Sequence, residues 1–423
     1  MSLDRSIAPA FVIPEEISFI QPMQRTLPNG VRLYFNPTPS IGAVRIEVNA
    51  ESLRGELKIA KKLVSFFTLH MLLEGTKTKT ASELDDFFDY YASEVEIISS
   101  FEHQGLALLT TKKHFSQVFP VFRELMTEAV FPEKELQKRK SQKALNISIQ
   151  FEKNAIRASH LFRQQLFGDS HPYGMISTEQ DVELIEREDL LDYYQNYLWV
   201  NTEIFVTGDL SETDLQLIES MLGDLPVHMY DSTPSEFSNM GNEIFIEARE
   251  KSVQSSIRLG CHLIPKSNPD YHALAVFNTF LGGYFGSRLI KNIREDKGHT
   301  YGIYSSIGSL RSADYWLIAA DVKKEFTSEV IDEIYKEIEI LQHQAIPKEE
   351  LETVRNYLIG NLLSSFSSSF ELITRFKGIH QAGLDLRFYE DRFEFLKKFT
   401  GEDIQKVGKR LIQKDWFVGT VVG

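Results

Sequence analysis

One stretch of the chain has residue types and spacing that invite a chemical reading. Phe66, Leu69 and His70 lie within Lys62–Thr76, an apolar run at helical spacing that Gly75 is placed to end. Residues four apart share a helix face, so Phe66 and His70 project together with Leu69 beside them. Were the three positions His, Glu and His, two imidazoles would converge on one Zn²⁺ and the carboxylate would activate its bound water. The chain reads Phe, Leu and His, so one of three working groups is present. A lone histidine on an apolar helix reads as a core residue. A second stretch, Leu281–Leu289, is glycine-rich, but no Gly-Lys-Ser/Thr follows, and alone it reads as a tight turn before a helix.

The elements that must position these stretches follow from pattern. Asn29-Gly30 supplies a hairpin turn into a strand at Val31–Phe35, and Ala43–Val48 alternates as a second strand. After the helix carrying His70, Thr80 or Ser82 should cap another. Ala92–Ile98 and Gly105–Thr111 read as strands, and Phe115–Met126 and Lys134–Phe151 as helices, the latter entered through Phe131-Pro132. The serine run Ser364–Phe370 reads as a break between helices.

The second half replays this order. Lys112-Lys113-His114-Phe115 is matched by Lys323-Lys324-Glu325-Phe326, 211 residues on. Phe131-Pro132 is matched by Ile346-Pro347 at 215, and Glu188-Asp189 by Glu402-Asp403 at 214. Three matches in order at nearly constant offset indicate a duplicated domain. The expected architecture is α+β: two tandem homologous domains, 1–226 and 242–423, each a mixed β-sheet with helices on one face. The Pro, Ser, Asp and Gly residues of 227–241 make the linker.

Composition sets limits. A net charge of −14 argues against a nucleic-acid or anionic-membrane partner. Cys261 is the only cysteine, which rules out an intrachain disulfide and suits a reducing compartment. Met1–Pro14 has a single arginine and two prolines and makes a poor secretory signal, so a cytoplasmic location is expected. No two of the eleven histidines lie closer than ten residues, His262 and His272 being the nearest pair, which leaves no local pair of metal ligands.

The continuation His70-Met-Leu-Leu-Glu-Gly-Thr-Lys-Thr78 resembles the sequence after the zinc helix in the M16 metallopeptidases, the family of pitrilysin and mitochondrial processing peptidase. The resemblance runs over nearly the whole chain and implies two such domains facing one another. It also implies a third ligand, a glutamate on the helix here spanning Lys134–Phe151. No carboxylate occurs between Glu135 and Glu152, and Asn146 or Leu145 falls near the ligand position. Phe66, Leu69, His70 and Asn146 are thus degenerate positions, and no zinc is expected in this chain. In the second half the resemblance assigns Arg294 and Tyr301 to binding and orienting substrate backbone. A guanidinium fork and a phenol suit a carbonyl oxygen whose charge grows during attack.

The implied function is a non-catalytic accessory subunit of a zinc-dependent peptidase. It would act on a peptide substrate as a heterodimer with a zinc-bearing M16 homologue, inactive alone because H-x-x-E-H is lost. Two other readings stand beside it: a structural scaffold of the same fold, and a free-standing zinc peptidase with substitute ligands.

Overall fold

The computed structural model describes residues 12–39, 41–54, 57, 61–231, 237, 243–311 and 313–423. The start of the chain and most of 232–242, where the signal and linker readings fall, lie outside the described residues. The first half runs β1 (Met23–Thr26), β2 (Arg32–Pro37), β3 (Ala43–Glu51), α1 (Val64–Met71), α2 (Ala81–Tyr90), β4 (Glu94–Ser99), β5 (His103–Thr111), α3 (Phe115–Thr127), α4 (Glu133–Glu152), α5 (Asn154–Phe167), α6 (Glu179–Glu183), α7 (Arg187–Asn196), β6 (Glu203–Gly208) and α8 (Glu212–Leu222). The second runs β7 (Ile244–Glu247), β8 (Gln254–Leu263), α9 (Tyr271–Asn278), β9 (Thr300–Gly308), β10 (Asp314–Lys323), α10 (Thr327–His343), α11 (Lys348–Ser364), α12 (Ser369–His380), α13 (Arg387–Lys398), α14 (Gly401–Leu411) and β11 (Val418–Val422).

Local chemistry explains the boundaries near the site. Gly30 turns the first hairpin at φ +84°, and Leu27 and Val31 close it by a backbone hydrogen bond of 2.9 Å. Thr80 and Glu83 form a reciprocal capping box at the start of α2. The α1 helix ends at Met71, earlier than Gly75, which instead sits at φ +141° and bridges to Thr80. The serine run breaks the chain as expected: α11 ends at Ser364, and Ser368 caps α12 through the amide of Glu371.

The two halves share one topology. The first sheet is ordered β1-β2-β6-β3-β5-β4 and the second β7-β11-β8-β10-β9. Apart from β1 the orders correspond strand for strand. In each, one parallel pair (β2 with β6, β7 with β11) joins an otherwise antiparallel ladder. Both sheets are therefore mixed, and the chain is two tandem copies of one α+β fold. Pro132 and Pro347 each precede the first residue of the long helix, α4 or α11, where a missing amide hydrogen costs nothing. The aromatic pair is one residue out of step. Phe115 opens α3, whereas Phe326 closes the 3₁₀ turn before α10.

Each half lays its own helices on one face of its sheet. Leu33, Phe35, Ile46, Val48, Leu108 and Val206 pack there against Phe67, Phe119 and Phe122. The opposite face of each sheet receives a helix from the other half. Tyr34 and Phe205 turn away from their own core and pack on Phe376 and His380 of α12, at ring-centroid distances of 5.1 Å (Tyr34 to Phe376) and 6.3 Å (Phe205 to His380). Lys377 pairs with the buried Glu47 of β3, and His380 with Glu203 of β6 at 2.9 Å. In return α5 lies on the second sheet. Arg258 of β8 donates to Ser159 Oγ and the Ala155 carbonyl, and Thr420 of β11 donates to the Ala158 carbonyl at 2.8 Å. Successive strand residues point to opposite faces, so a single strand serves its own core and the other half's helix together.

Candidate functional site

The helix expected to carry chemistry is closed to it. Leu69 is fully buried in the first core, and Phe66 packs at its margin. Half-buried His70 lies against the Phe66 ring at 4.0 Å, and its Nδ1–H donates to the Phe66 carbonyl at 2.8 Å. Burial, followed by the nearby Arg139 and Lys143, holds the imidazole below its ordinary pKa. It is neutral at physiological pH.

The residues that reach α1 come from one face of α4. Leu136 and Ile147 are buried, Arg139 pairs with the buried Glu74, and the Lys143 ammonium lies 3.8 Å from the Phe66 ring centroid. Asn146 and Leu145 are exposed. The signal that points to Lys143 is present in the sequence: on this charged helix the apolar positions 136 and 147 define the inward face, and 143 shares it. A Zn²⁺ ion does not fit these donors. One imidazole is held by a backbone carbonyl, no carboxylate stands beside it, and an ammonium covers the neighbouring ring. Among the described residues no group of three or more His, Cys, Asp or Glu side chains could hold a metal.

On the next helix, His160 lies near Phe151 and close to Arg163, Arg157 and Lys143. Burial, then these cations, push its pKa down to about 4, well below the ordinary 6.5. Between those values the unfolded chain binds more protons than the folded one, so stability falls as the pH is lowered through this window. His160→Gln should lessen that loss by roughly 1–2 kcal/mol, after allowing for solvent screening of a partly exposed ring. Urea unfolding of both proteins at about pH 7 and about pH 4 reads the difference; parallel acid limbs would refute the assignment.

The second-half residues are arranged differently. Arg294 lies in a π-helical turn, Ile290–Asp296, a distortion that recurs at functional positions. Its guanidinium sits 4.9 Å from the centroid of the exposed Phe285 ring, and it forms no ion pair among the described residues. Tyr301 is 92% exposed at the start of β9, which among the described residues is an edge strand paired with β10. Two glycines allow this placement. Gly298 turns the chain at φ +66°, and at Gly282 a Cβ would meet the Ser305 amide nitrogen of β9 at 2.7 Å. Neighbouring polar residues have structural partners: Arg288 grips Glu350 through two 2.8 Å bonds, and His299 stacks on Phe326 at 4.0 Å. Among the described residues Arg294 and Tyr301 have no ion-pair partner.

Known proteins match this chain over most of its length. The sequence pattern described as "Insulinase (Peptidase family M16)" matches residues 58–169, and that described as "Peptidase M16 inactive domain" matches residues 185–358. A Bacillus subtilis (strain 168) protein named "Uncharacterized zinc protease YmxG" is 24% identical over 352 residues, covering 83% of this chain and 86% of that one. A Helicobacter pylori (strain ATCC 700392 / 26695) protein named "Non-peptidase homolog YmxG" is 22% identical over 341 residues, covering 79% of this chain and 78% of its own. The crystal structure of a peptidase M16 inactive domain from Pseudomonas fluorescens shares the fold at a TM-score of 0.86 and 20% identity, over 96% of this chain and 98% of that one. With both halves matched in order and the duplicated topology in place, this chain belongs to the M16 peptidase family.

Proposed function

We propose that this protein is a non-catalytic M16 subunit that supplies Arg294 and Tyr301 to a peptidase site completed by a zinc-bearing homologue. The observation that carries the reading is the contrast between its two halves. The first half puts Phe66, Leu69 and a covering Lys143 where metal chemistry would need donors. The second keeps an arginine without an ion-pair partner among the described residues and an exposed tyrosine beside an open strand edge. An extended peptide can add to such an edge by backbone hydrogen bonds, with Arg294 and Tyr301 able to donate to its carbonyl groups. The hydrolytic nucleophile would come from the partner's metal. This chain's residues bind and orient.

The direct test is reconstitution. The chain alone should leave an unfolded peptide uncleaved, and mixing it with an H-x-x-E-H homologue from the same organism should raise cleavage above that of the homologue alone. Failure to stimulate any such homologue would favour the scaffold reading. We also expect no stoichiometric zinc in the chelator-free protein, because a single neutral imidazole cannot hold the ion against water. Elemental analysis finding one zinc per chain, lost in His70→Ala, would overturn this and favour the substitute-ligand peptidase.

A further inference from the structure

A cavity of about 190 Å³ opens beside the position where Lys143 covers Phe66. It lies between α4, α5, the turn after β4, the loop that follows α5, and Arg54 and Lys62 from the connection between β3 and α1. Among the described residues four cations line it, namely Arg54, Lys62, Lys143 and Arg163, and no carboxylate does. Lys62 is neutralised by Asp181 at 2.8 Å. The other three form no ion pair among the described residues. Arg54 donates from Nη2 to Ser99 Oγ at 3.0 Å, while its Nε is buried without a hydrogen-bond partner. Arg163 donates to the Tyr173 carbonyl at 3.2 Å and lies over the Phe101 ring. In a chain of net charge −14, three cations without an ion-pair partner among the described residues are an unusual concentration around one cavity.

Their cost is electrostatic. Burial and then Arg54 hold the Lys143 ammonium below its ordinary pKa, and burial does the same to the Arg54 guanidinium. Like charges held together away from water destabilise the fold unless an anion joins them. The remaining walls are apolar, with Phe101, Ile147, Phe151, Met175 and Ile176 among them. The cavity is also far larger than a single water requires. A bare inorganic anion would meet the cations and leave those walls uncovered.

We infer that this cavity is a binding site for a peptide carboxylate, with Lys143 and Arg54 on the anion and the adjoining side chain against the apolar wall. A carboxylate accepts hydrogen bonds from an ammonium and from a guanidinium. The site needs no partner subunit and does not depend on Arg294 or Tyr301.

Calorimetric titration of the isolated full chain tests it with four probes. These are an N-acetyl tripeptide ending in leucine as the free acid, its C-terminal amide, an amidated tripeptide carrying one glutamate, and inorganic phosphate. The free acid should bind, more weakly at high salt, and the neutral amide should bind at least about tenfold more weakly. Binding of the glutamate peptide would place side-chain carboxylates among the ligands; its absence would restrict the site to chain termini, and either outcome supports a carboxylate site. Lys143→Met and Arg54→Met should each weaken the free acid by about tenfold or more. Lys143→Arg should keep it, as should Lys138→Met on the exposed side of α4. Equal binding of acid and amide, equal or tighter binding of phosphate, or full binding by a folded Lys143→Met protein would overturn the inference.

Discussion

Arg294→Ala in the reconstituted peptidase should lower turnover by about 10²–10³, the usual loss when one donor facing developing negative charge is removed. Tyr301→Phe, which deletes a single hydroxyl, tests the same role with less disturbance. Both variants should still assemble with the zinc-bearing partner, because neither side chain has structural work to lose. Tyr301 is almost wholly exposed, and the described contact of Arg294 is with the exposed Phe285 ring. Their folding midpoints should therefore match wild type within about 0.5 kcal/mol, as surface substitutions do. The kinetic pattern separates two roles. A fall in kcat marks a donor used in the transition state, whereas a rise in KM alone marks ground-state binding of substrate backbone. Arg288→Ala serves as a contrast, since it strands Glu350 on α11 and should cost stability before it costs rate. Wild-type turnover in both Arg294→Ala and Tyr301→Phe would assign the pair to structure and leave the scaffold reading.

Much of this architecture could be read from residues, and the part that could not has a physical reason. Asn29-Gly30, the capping pair Thr80 and Glu83, and the helix entries at Pro132 and Pro347 are local signals, and each element they mark is present. The repeat of such signals announced a duplicated fold before any long-range contact was known. The exchange of α5 and α12 was not legible. An apolar helix face specifies that it must be covered, not which sheet covers it, and Phe162 or Phe376 would satisfy the same pattern against either one. The candidate site divided along the same line. That Phe66 and Leu69 are not metal donors is plain in the letters, but the position that the family resemblance implied for a third ligand, Asn146, is exposed. Helical phase, set by Leu136 and Ile147, is what brings Lys143 onto Phe66. The cationic cavity draws on five separate segments, and their charges are scattered through the sequence among many solvated ones.

Phe376→Ala should destabilise the whole chain, although residue 376 belongs to the second half. Its ring is buried among Tyr34, Phe205 and His380, all but the last from the first half, at centroid distances of 5.1, 6.5 and 5.4 Å. Truncating a buried phenylalanine costs about 3–5 kcal/mol through lost transfer energy and the cavity left behind. That loss falls on a contact which also carries the Lys377–Glu47 ion pair. Burial alone would raise the Glu47 pKa; the attraction of Lys377 and Arg45 outweighs it and holds the carboxylate below its usual range. Loosening α12 would expose that pair to water and weaken the grip of both sheets on the helix. Because α5 makes the reciprocal contact through Arg258 and Thr420, neither half can lose its guest helix without uncovering a face of its sheet. The two halves should therefore unfold as one cooperative unit, and Phe376→Ala should shift a single calorimetric transition without splitting it. Leu222→Ala, deep in the first half's own core and far from the exchange, should move that same transition. Two separate transitions in wild type, with only the second responding to Phe376→Ala, would mean that the exchanged helices do not couple the halves.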